Sequence, residues 1–330
     1  MVEPSRSPMF PCRICENTEG NRVHAAREMM FGTRDSFDYI ECGKCGTVQI
    51  LDVPDLAPYY PDNYLSFESG VPVGKTFARR IAARFAGKYF ITGKSLFGKF
   101  VVKMRPGVAE FFPHSLRDSP LSLHRDSRIL DFGCGNGQLL QSLHYFGFTN
   151  LTGADAFIKN DIFYPTGVNI YRRRLDQFEG PFDLTMLHHS FEHLENPLDS
   201  LGQIRRLLGD DGFGLVRIPV VSFAWEKYGV NWVQMDPPRH LFLYTEIGFR
   251  ALAEDAGLEV VRVTYDSGAF QFWGSEQYVQ DIPLVDNRSY WTNPLSSPFN
   301  SEQISEWQKQ AEKLNAEGKG DMACFYLRRG

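Results

Sequence analysis

The sequence predicts an α/β fold, in which helices cover both faces of a mostly parallel sheet and a small module precedes it. From about residue 126 onward, strand-like apolar runs alternate with helix-like segments, as is typical of parallel sheets with buried strands. Residues 129–132 form one such run and lead into three glycines at alternate positions. At 330 residues, the chain is long enough for a core of about 200 residues and the smaller module.

The composition is that of a soluble globular protein. Hydrophobic residues make up 43% of the chain and charged residues 23%. Residues 1–11 hold no basic-then-apolar signal, and no run approaches the roughly 18 apolar residues of a membrane span. We therefore expect a cytoplasmic protein.

Two Cys-x-x-Cys pairs define the N-terminal module, residues 1–51. Cys12 and Cys15 form the first pair, and Cys42 and Cys45 form the second. A two-residue gap lets both sulfurs of a pair face one ion, so the four cysteines suit tetrahedral coordination of zinc. We expect a zinc ribbon whose metal is structural, because four thiolates leave no open coordination position. Two disulfides, or free core thiols, are the alternatives.

Residues 52–125 are expected to form a helical linker with a basic amphipathic segment at 75–105. The sequence has no acidic residue between Glu68 and Glu110, but nine lysines and arginines. Because the whole chain has a net charge of −5, the remainder carries about −14. An acidic body argues against an RNA duplex as substrate, so we expect no nucleic-acid partner. The basic helices either contact an anionic membrane or form a solvated face packed on the domain.

The core, residues 126–330, is predicted to contain seven strands separated by helices. The predicted strands are 128–132, 150–155, 168–171, 182–187, 213–219, 259–265 and 323–328. The predicted helices include 138–145, 198–208, 245–256 and 301–317, the last of which closes a long insertion at 266–322.

The turn after the first core strand predicts a ligand site. Asp131 precedes Gly133, Gly135 and Gly137, and glycine is needed where a ligand lies against bare backbone or φ is positive. The helix that follows points its N-terminal amides at this turn. The second strand ends at Asp155, which is well placed to bind a ribose diol. NAD-binding folds also use a glycine-rich turn, so the turn alone does not identify the ligand.

An acid before the first glycine and the Gly-x-Gly-x-Gly spacing resemble the cofactor loop of class I S-adenosylmethionine-dependent methyltransferases. After the fourth strand, residues 188–197 read HHSFEHLENP and lead into a helix, a DDGFG stretch and the fifth strand. This order is similar to that of small-molecule methyltransferases of the same superfamily. The resemblance implies a seven-stranded Rossmann-like methyltransferase sheet with an antiparallel last strand, and S-adenosylmethionine as cofactor.

The resemblance also implies roles for residues around the turn. Leu175 and Asp176 match the family's adenine edge, and His188 borders the methionine portion of the cofactor. Cys134 is expected to be a small spacer. The predicted cofactor-binding residues are Asp131, Gly133, Cys134, Gly135, Gly137, Asp155, Ala156, Leu175, Asp176 and His188.

His189-x-x-Glu192-His193 also matches the inverted zinc-protease signature. That site needs its residues on one uninterrupted helix, plus a third ligand downstream. Here the motif directly follows a strand, and Pro197 starts a new helix. We therefore interpret the chain as something other than a metalloprotease.

The Pro-Pro-Arg-His stretch at 237–240 predicts a catalytic base. The prolines fix the backbone so that Arg239 and His240 project in a defined direction. A similar element occurs in the zinc-ribbon methyltransferase group, on the loop that roofs the cofactor. The alternative is that His240 only holds this lid, and Arg239 either binds an anionic acceptor or pairs with Asp236. The predicted catalytic residues are His240, as first choice, followed by His193 and His189.

The zinc ribbon narrows the resemblance to sugar and natural-product methyltransferases. The sugar C-methyltransferases of that group carry a further C-terminal domain, which is absent from this sequence. We therefore expect in-line methyl transfer to a hydroxyl of a small-molecule or carbohydrate acceptor, whose pocket the insertion 266–322 builds. The alternatives are a C-methyltransferase of a nucleotide sugar, an rRNA base methyltransferase with a zinc module, and a non-enzymatic zinc-ribbon scaffold.

Overall fold

The computed structural model describes residues 10–60, 77–117, 120, 121 and 123–330, so Lys75 of the basic segment lies outside the described residues. The strands are β1 (Arg22–Arg27), β2 (Ser36–Glu41), β3 (Val48–Ile50), β4 (Arg128–Phe132), β5 (Asn150–Ala154), β6 (Ile162–Phe163), β7 (Asn169–Tyr171), β8 (Phe182–His188), β9 (Leu208–Pro219), β10 (Phe242–Leu243), β11 (Leu258–Tyr265) and β12 (Met322–Arg329). The helices are α1 (Phe77–Thr92), α2 (Leu96–Met104), α3 (Gln138–Tyr145), α4 (Pro197–Leu207), α5 (Phe223–Tyr228), α6 (Glu246–Asp255), α7 (Phe270–Val279) and α8 (Ser301–Ala316).

Eight strands form the central sheet, in the order β11-β12-β9-β8-β4-β5-β7-β6. All seven predicted core strands are present, and the last, β12, runs antiparallel to both of its neighbours. The predicted Rossmann-like fold class is therefore confirmed. The eighth strand, β6, has two residues and pairs antiparallel with β7 at the sheet edge. Two residues are too few to show a hydrophobic period, so the sequence did not predict it.

The strand order turns around at β4. This strand pairs in parallel with β5 on one side and with β8 on the other. Phe132 is level with Ala154 and Asp131 with Met186, so the carboxyl ends of the three strands meet at one edge. Ligands of open α/β sheets bind in the crevice at such a switch point.

Apolar side chains fill both faces of the sheet. Ile129 and Leu130 of β4 are fully buried and belong to different hydrophobic clusters, because successive strand residues point to opposite faces. Leu140 and Leu143 of α3 pack in the cluster of Ile129, whereas Ile204 of α4 packs in that of Leu130. Each face of the sheet is thus covered by a helix that follows one of its strands.

The N-terminal module forms a second sheet, in the order β1-β2-β3-β10. Its fourth strand, β10, lies in the core part of the sequence, where Phe242 and Leu243 pair with Gln49 and Val48. The hydroxyl of Thr245 donates a hydrogen bond to the carbonyl oxygen of Cys45 at 2.6 Å. Backbone pairing therefore joins the module to the chain that directly follows His240.

The described part of the linker contains a helical hairpin, α1 and α2. The hydroxyl of Ser95 accepts a hydrogen bond from the amide of Gly98 at 3.1 Å and so caps α2. Gly98 lets the two helices approach closely, since a Cβ there would lie 2.1 Å from the carbonyl oxygen of Phe85. Ala83 and Ala86 are buried on the inner face of α1.

The insertion 266–322 packs against the N-terminal module. The amides of Leu284 and Val285 donate hydrogen bonds to the carbonyl oxygens of Met29 and Met30, at 2.8 Å each. Its two helices are α7 and α8, and α8 begins and ends within one residue of the predicted helix 301–317. None of the described helices is both long and apolar enough to cross a lipid bilayer.

Candidate active site

The glycine turn connects β4 to α3. Gly133, Gly135 and Gly137 all adopt positive φ, at 74°, 54° and 78°. A Cβ at Gly133 would lie 2.3 Å from Cβ of Ser190, and one at Gly137 would lie 2.5 Å from Cδ1 of Ile170. The turn therefore needs glycine both for its backbone conformation and for space.

Asp155 closes the turn from the end of β5 and is buried. Its Oδ2 accepts a hydrogen bond from the amide of Gly135 at 2.9 Å, and its Oδ1 accepts one from the amide of Phe157 at 2.8 Å. A carboxylate offers about four acceptor positions, so Asp155 can accept further hydrogen bonds from a ligand. Ala156 follows it directly.

Asp131 lies beneath the turn and is also buried. Among the described residues its Oδ1 has no hydrogen-bond partner. Burial, together with the charge of Asp155, raises the pKa of Asp131. Cys134 lies half-buried within the turn, and its amide donates to the carbonyl oxygen of Ala154 at 3.3 Å. An unpartnered buried carboxyl oxygen indicates a place for a donor that the protein itself does not supply.

Leu175 and Asp176 lie in a short 3-10 turn after β7. Leu175 is buried, while Asp176 is exposed and its carboxylate accepts two hydrogen bonds from Arg174, at 3.1 and 2.6 Å. Because this ion pair is exposed, it holds the carboxylate only weakly.

β8 ends at two consecutive histidines. Nε2 of His188 is 2.8 Å from the hydroxyl of Ser115, and its Nδ1 is buried with no partner among the described residues. Burial and the charge of Arg217 lower the pKa of His188 to about 3, so this ring is neutral. His189 has a positive φ of 52° and hydrogen-bonds the guanidinium of Arg217. It therefore lies outside any helix, as expected if the zinc-protease signature is fortuitous.

Glu192, His193 and His240 form a cluster, with one nitrogen or oxygen atom of each within 4.8 Å of the others. Nδ1 of His193 is 2.8 Å from the carbonyl oxygen of Arg239, and Nδ1 of His240 is 2.7 Å from that of Gln234. A carbonyl oxygen only accepts, so each Nδ1 carries the proton. Nε2 of each ring is then left as an acceptor.

Burial dominates the electrostatics of this cluster. It raises the pKa of Glu192 to about 8, and burial with the nearby His240 lowers the pKa of His193 to about 3. It also lowers the pKa of His240. Glu192 is fully buried, and neither of its oxygens has a hydrogen-bond partner in the described part of the chain. Its Oε1 lies 3.9 Å from Nε2 of His240.

Arg239 is fully buried and pairs with Asp236, one of the two roles that the sequence left open. Its Nε is 2.9 Å from Oδ2 of Asp236, and its terminal nitrogens reach Glu28 at 2.8 Å and the carbonyl oxygen of Tyr59 at 3.1 Å. Burial alone would raise the pKa of Asp236, but the charge and hydrogen bonds of Arg239, together with the nearby histidines, outweigh burial and lower that pKa. The guanidinium is thus engaged by the protein, and binding of an anionic acceptor by Arg239 is not supported.

A cavity of about 1490 Å³ opens at the carboxyl ends of β4 and β5. Small-molecule sites typically measure roughly 300–1,000 Å³, so this cavity has room for two ligands side by side. The predicted site residues that line it are Gly133, Asp155, Ala156, Leu175, Asp176, His189 and His193. The predicted residues that do not line it are Asp131, Cys134, Gly135, Gly137, His188 and His240.

No residue of the insertion 266–322 lines this cavity. Its aromatic rings pack with one another and against the core instead, with Trp273 5.2 Å from Tyr290 and 4.8 Å from Phe270 between ring centroids. The expected contribution of the insertion to the acceptor pocket therefore has no support in the described cavity.

The structure adds site residues that the sequence reasoning did not select. The hydroxyl of Tyr60 is 3.3 Å from Nδ1 of His193, and its ring stacks on Phe157 at 5.9 Å between centroids. Tyr60 and Phe157 both line the cavity. No pattern in the sequence predicts the contact between Tyr60 and His193, which are 133 residues apart. Glu192, in contrast, was visible within the His-x-x-Glu-His pattern.

The four predicted zinc ligands converge. Sγ of Cys12 lies 3.7 Å from Sγ of Cys45, and Sγ of Cys15 lies 3.6 Å from Sγ of Cys42. Zinc–sulfur bonds of about 2.3 Å in a tetrahedron separate the sulfurs by about 3.8 Å. All four are free thiols, so the disulfide alternative is wrong. The cluster is compatible with a zinc ribbon.

Comparisons with known proteins agree with this geometry. Residues 102–263, just under half of the chain, match a family model described as a methyltransferase domain. A ubiquinone biosynthesis O-methyltransferase of Maricaulis maris is 28% identical over 181 residues, covering 48% of this chain and 70% of that protein.

Solved structures to which the chain is similar include a complex between the Haloferax volcanii Trm112 methyltransferase activator and a methyltransferase. It has a TM-score of 0.44 and 13% identity, and the match covers 74% of this chain and 97% of that chain. The cyclopropane synthase MmaA2 of Mycobacterium tuberculosis has a TM-score of 0.40 and 14% identity, with 76% and 98% covered.

Proposed function

We propose that this chain, which is an S-adenosylmethionine-dependent methyltransferase, transfers the methyl group to a hydroxyl oxygen of a small acceptor. The observation that carries the proposal is that one cavity joins the glycine turn to a wall bearing His189 and His193. The cofactor supplies a methyl group already activated on a sulfonium. The protein then needs to align the acceptor and exclude water, which can contribute roughly 7–11 kcal/mol.

The residues around the turn fit this cofactor. We propose that Asp155 accepts from the ribose hydroxyls, that Leu175 and Asp176 border the adenine, and that the glycine turn lies against the cofactor backbone. We propose that Asp131 and His188 act near the methionine portion; neither lines the cavity, but each has a buried polar atom without a partner in the described part of the chain. Gly135 and Cys134 shape the turn, and Ala156 lines the cavity.

For the base, we propose that the three histidines act at different distances from the acceptor. His193 lines the cavity, is neutral, and has Nε2 free to accept the proton. His240 lies behind it, with ring centroids 4.9 Å apart, and holds or relays that proton with Glu192. His189 orients the acceptor. As the oxygen–methyl bond forms, the sulfur–methyl bond breaks, its electron pair stays on sulfur, and the hydroxyl proton passes to His193.

The cavity wall supports a hydroxylated acceptor. Besides the apolar Phe157 and Ile158 it presents Ser190, Asn196 and Ser200, which can hydrogen-bond sugar or phenol hydroxyls. The curated relative is an O-methyltransferase by name. We propose a sugar or natural-product acceptor and a reaction in the cytoplasm. We also propose the division into a zinc ribbon at 1–51, a linker at 52–125 and a methyltransferase domain at 126–330.

The experiment that tests this function uses methyl-labelled S-adenosylmethionine and a panel of free sugars, nucleotide sugars, catechols and ribosomal RNA. We expect the label on an oxygen of one small hydroxylated compound, identified by NMR and mass spectrometry. Label on carbon would favour the C-methyltransferase alternative, and label only on RNA would contradict a small acceptor.

We propose that the N-terminal cysteines hold one structural zinc. Elemental analysis should then find one zinc per chain, and Cys42→Ser should lose it and lower the melting temperature. Cys324→Ser is the matched control, because Cys324 is buried in β12 far along the chain from the cluster. A zinc-free preparation that is as stable as the zinc-loaded one would refute the ribbon.

A further inference from the structure

An apolar strip faces outward on helix α2. Leu96 is 85% exposed, Met104 is 65% exposed, and Phe97 and Phe100 between them are more than half exposed. At about 100° per residue, these four side chains fall within an arc of about 100°. The opposite face of the helix, which carries Gly98 and Val101, is buried.

The strip continues onto helix α1. Ile81 and Phe85 lie one helical turn apart, and both are exposed. The ring of Phe85 lies 4.8 Å from that of Phe97, which in turn lies 6.5 Å from that of Phe100. A contiguous exposed apolar surface of this kind marks an interaction site rather than scattered surface residues.

Basic side chains surround this strip. Between residues 77 and 105 the hairpin has no Asp or Glu, while all of its lysines and arginines are exposed. They are Arg79, Arg80, Arg84, Lys88, Lys94, Lys99, Lys103 and Arg105. Arg80, Arg84 and Lys88 follow one another at intervals of four and form a row beside Ile81 and Phe85.

The hairpin cannot rotate to bury the apolar strip against the core, because its other face already packs there. Ala83, Ala86 and Val101 are buried in the hydrophobic cluster that contains α3. A Cβ at Gly87 would lie 2.7 Å from the carbonyl oxygen of Phe146, so the contact there is backbone to backbone.

We propose that the α1–α2 hairpin is a docking surface for an anionic phospholipid bilayer. Such a bilayer offers apolar acyl chains directly beneath a layer of negative phosphates, which matches an apolar strip within a basic rim. The long lysine and arginine side chains reach the phosphates while Leu96, Phe97, Phe100 and Met104 enter the headgroup boundary. The methyltransferase then works at the membrane surface.

Other occupants match this surface less well. A symmetric dimer would bring two identical basic patches together, and their repulsion opposes association. The phosphates of a nucleic acid would pair with the basic residues, but its charged backbone offers no apolar surface to pack against Leu96 and Met104.

The test is vesicle flotation of the full chain with phosphatidylcholine alone and with phosphatidylcholine containing phosphatidylglycerol. We expect binding only to the anionic vesicles, weakening with salt. The apolar variant Leu96→Ser/Phe100→Ser/Met104→Ser and the charge variant Lys99→Glu/Lys103→Glu should each lower the partition coefficient at least tenfold. All five positions are exposed, and unchanged melting temperatures would show that the variants fold.

Matched controls come from exposed positions elsewhere. Leu295→Ser and, on α8, Lys309→Glu/Lys313→Glu should leave vesicle binding unchanged. Failure of the wild type to bind anionic vesicles, or equal binding by the hairpin variants, would overturn the proposal. Two further results would overturn the proposal if the wild type does not bind vesicles. One is a dimer, measured by light scattering, that the hairpin variants no longer form. The other is an RNA gel shift that these variants no longer give.

Discussion

At the residue scale, Glu192 is the side chain whose environment most constrains the chemistry. It is fully buried, its oxygens have no partner in the described part of the chain, and it faces the Nε2 acceptor of His240. Burying an unpaired carboxylate is costly, so the group stays protonated until its pKa of about 8 is passed. We propose that, once ionised, Glu192 stabilises a protonated His240 and so favours removal of the acceptor proton.

Glu192→Gln should therefore change the pH dependence of activity. In the wild type, kcat/KM measured with the acceptor found in the labelled panel should rise as pH passes about 8, because Glu192 ionises there. In the glutamine variant this rise should be absent. Glu195→Gln, a change at an acid that lines the cavity, is the control. An unaltered pH profile in Glu192→Gln would remove this residue from the mechanism.

Stability gives a second readout that needs no acceptor. Burial raises the folded pKa of Glu192 above the ordinary value of a glutamate, so its contribution to stability is present at low pH and is lost as pH rises to about 8. The free energy of unfolding of the wild type should fall between about pH 4.5 and about pH 8 by more than that of Glu192→Gln.

The role of a single residue was predictable from the sequence where the local backbone geometry requires that residue type. The three positive-φ glycines and the carboxylate at the end of β5 belong to this class. The cysteine cluster does too, because the two-residue gap within each Cys-x-x-Cys pair lets both sulfurs face one point. The burial of His240 and the orphaned oxygens of Glu192 depend on segments far apart in the chain, which no local pattern reports.

At the element scale, the N-terminal module holds the loop that carries His240. The hydroxyl of Tyr39 in β2 donates to the carbonyl oxygen of His240 at 2.9 Å, and the amide of Ile50 donates to that of Leu241 at 3.0 Å. Glu28, which follows β1, forms an ion pair with Arg239, the residue before His240. The N-terminal module is therefore part of the scaffold that positions His240.

Arg239→Met should lower the free energy of unfolding by about 3–5 kcal/mol, because it leaves Glu28 and Asp236 buried without their partner. Adding Glu28→Gln should recover part of that loss. Denaturant unfolding measures both variants. Arg34→Met is the control, since its pair with Asp281 is exposed and should contribute less than about 1 kcal/mol. Equal losses in Arg239→Met and Arg34→Met would contradict this coupling.

The core strands were predictable because buried parallel strands are continuous apolar runs. β10 was not predicted, since it has two residues and exists only by pairing with β3. The packing of the insertion 266–322 on the N-terminal module is likewise a contact between distant segments. Its aromatic content indicated burial but not the surface that it covers.

At the scale of the whole molecule, we propose that two surfaces bind different ligands. The cavity at the strand carboxyl ends combines the glycine turn, Asp155 and the histidine wall. The α1–α2 hairpin packs near the carboxyl end of α3, since Tyr145 donates a hydrogen bond to the carbonyl oxygen of Arg79 at 3.4 Å. α3 begins directly after the glycine turn, and none of the described hairpin residues lines the cavity.

The most direct measurement of the central claim is a crystal structure with S-adenosylhomocysteine bound. We predict the ligand in the cavity, with both ribose hydroxyls on the carboxylate of Asp155 and its sulfur facing His193. Asp155→Ala crystals soaked in the same way should lack it. Ligand bound elsewhere, or a sulfur pointing away from the histidine wall, would contradict the proposed site.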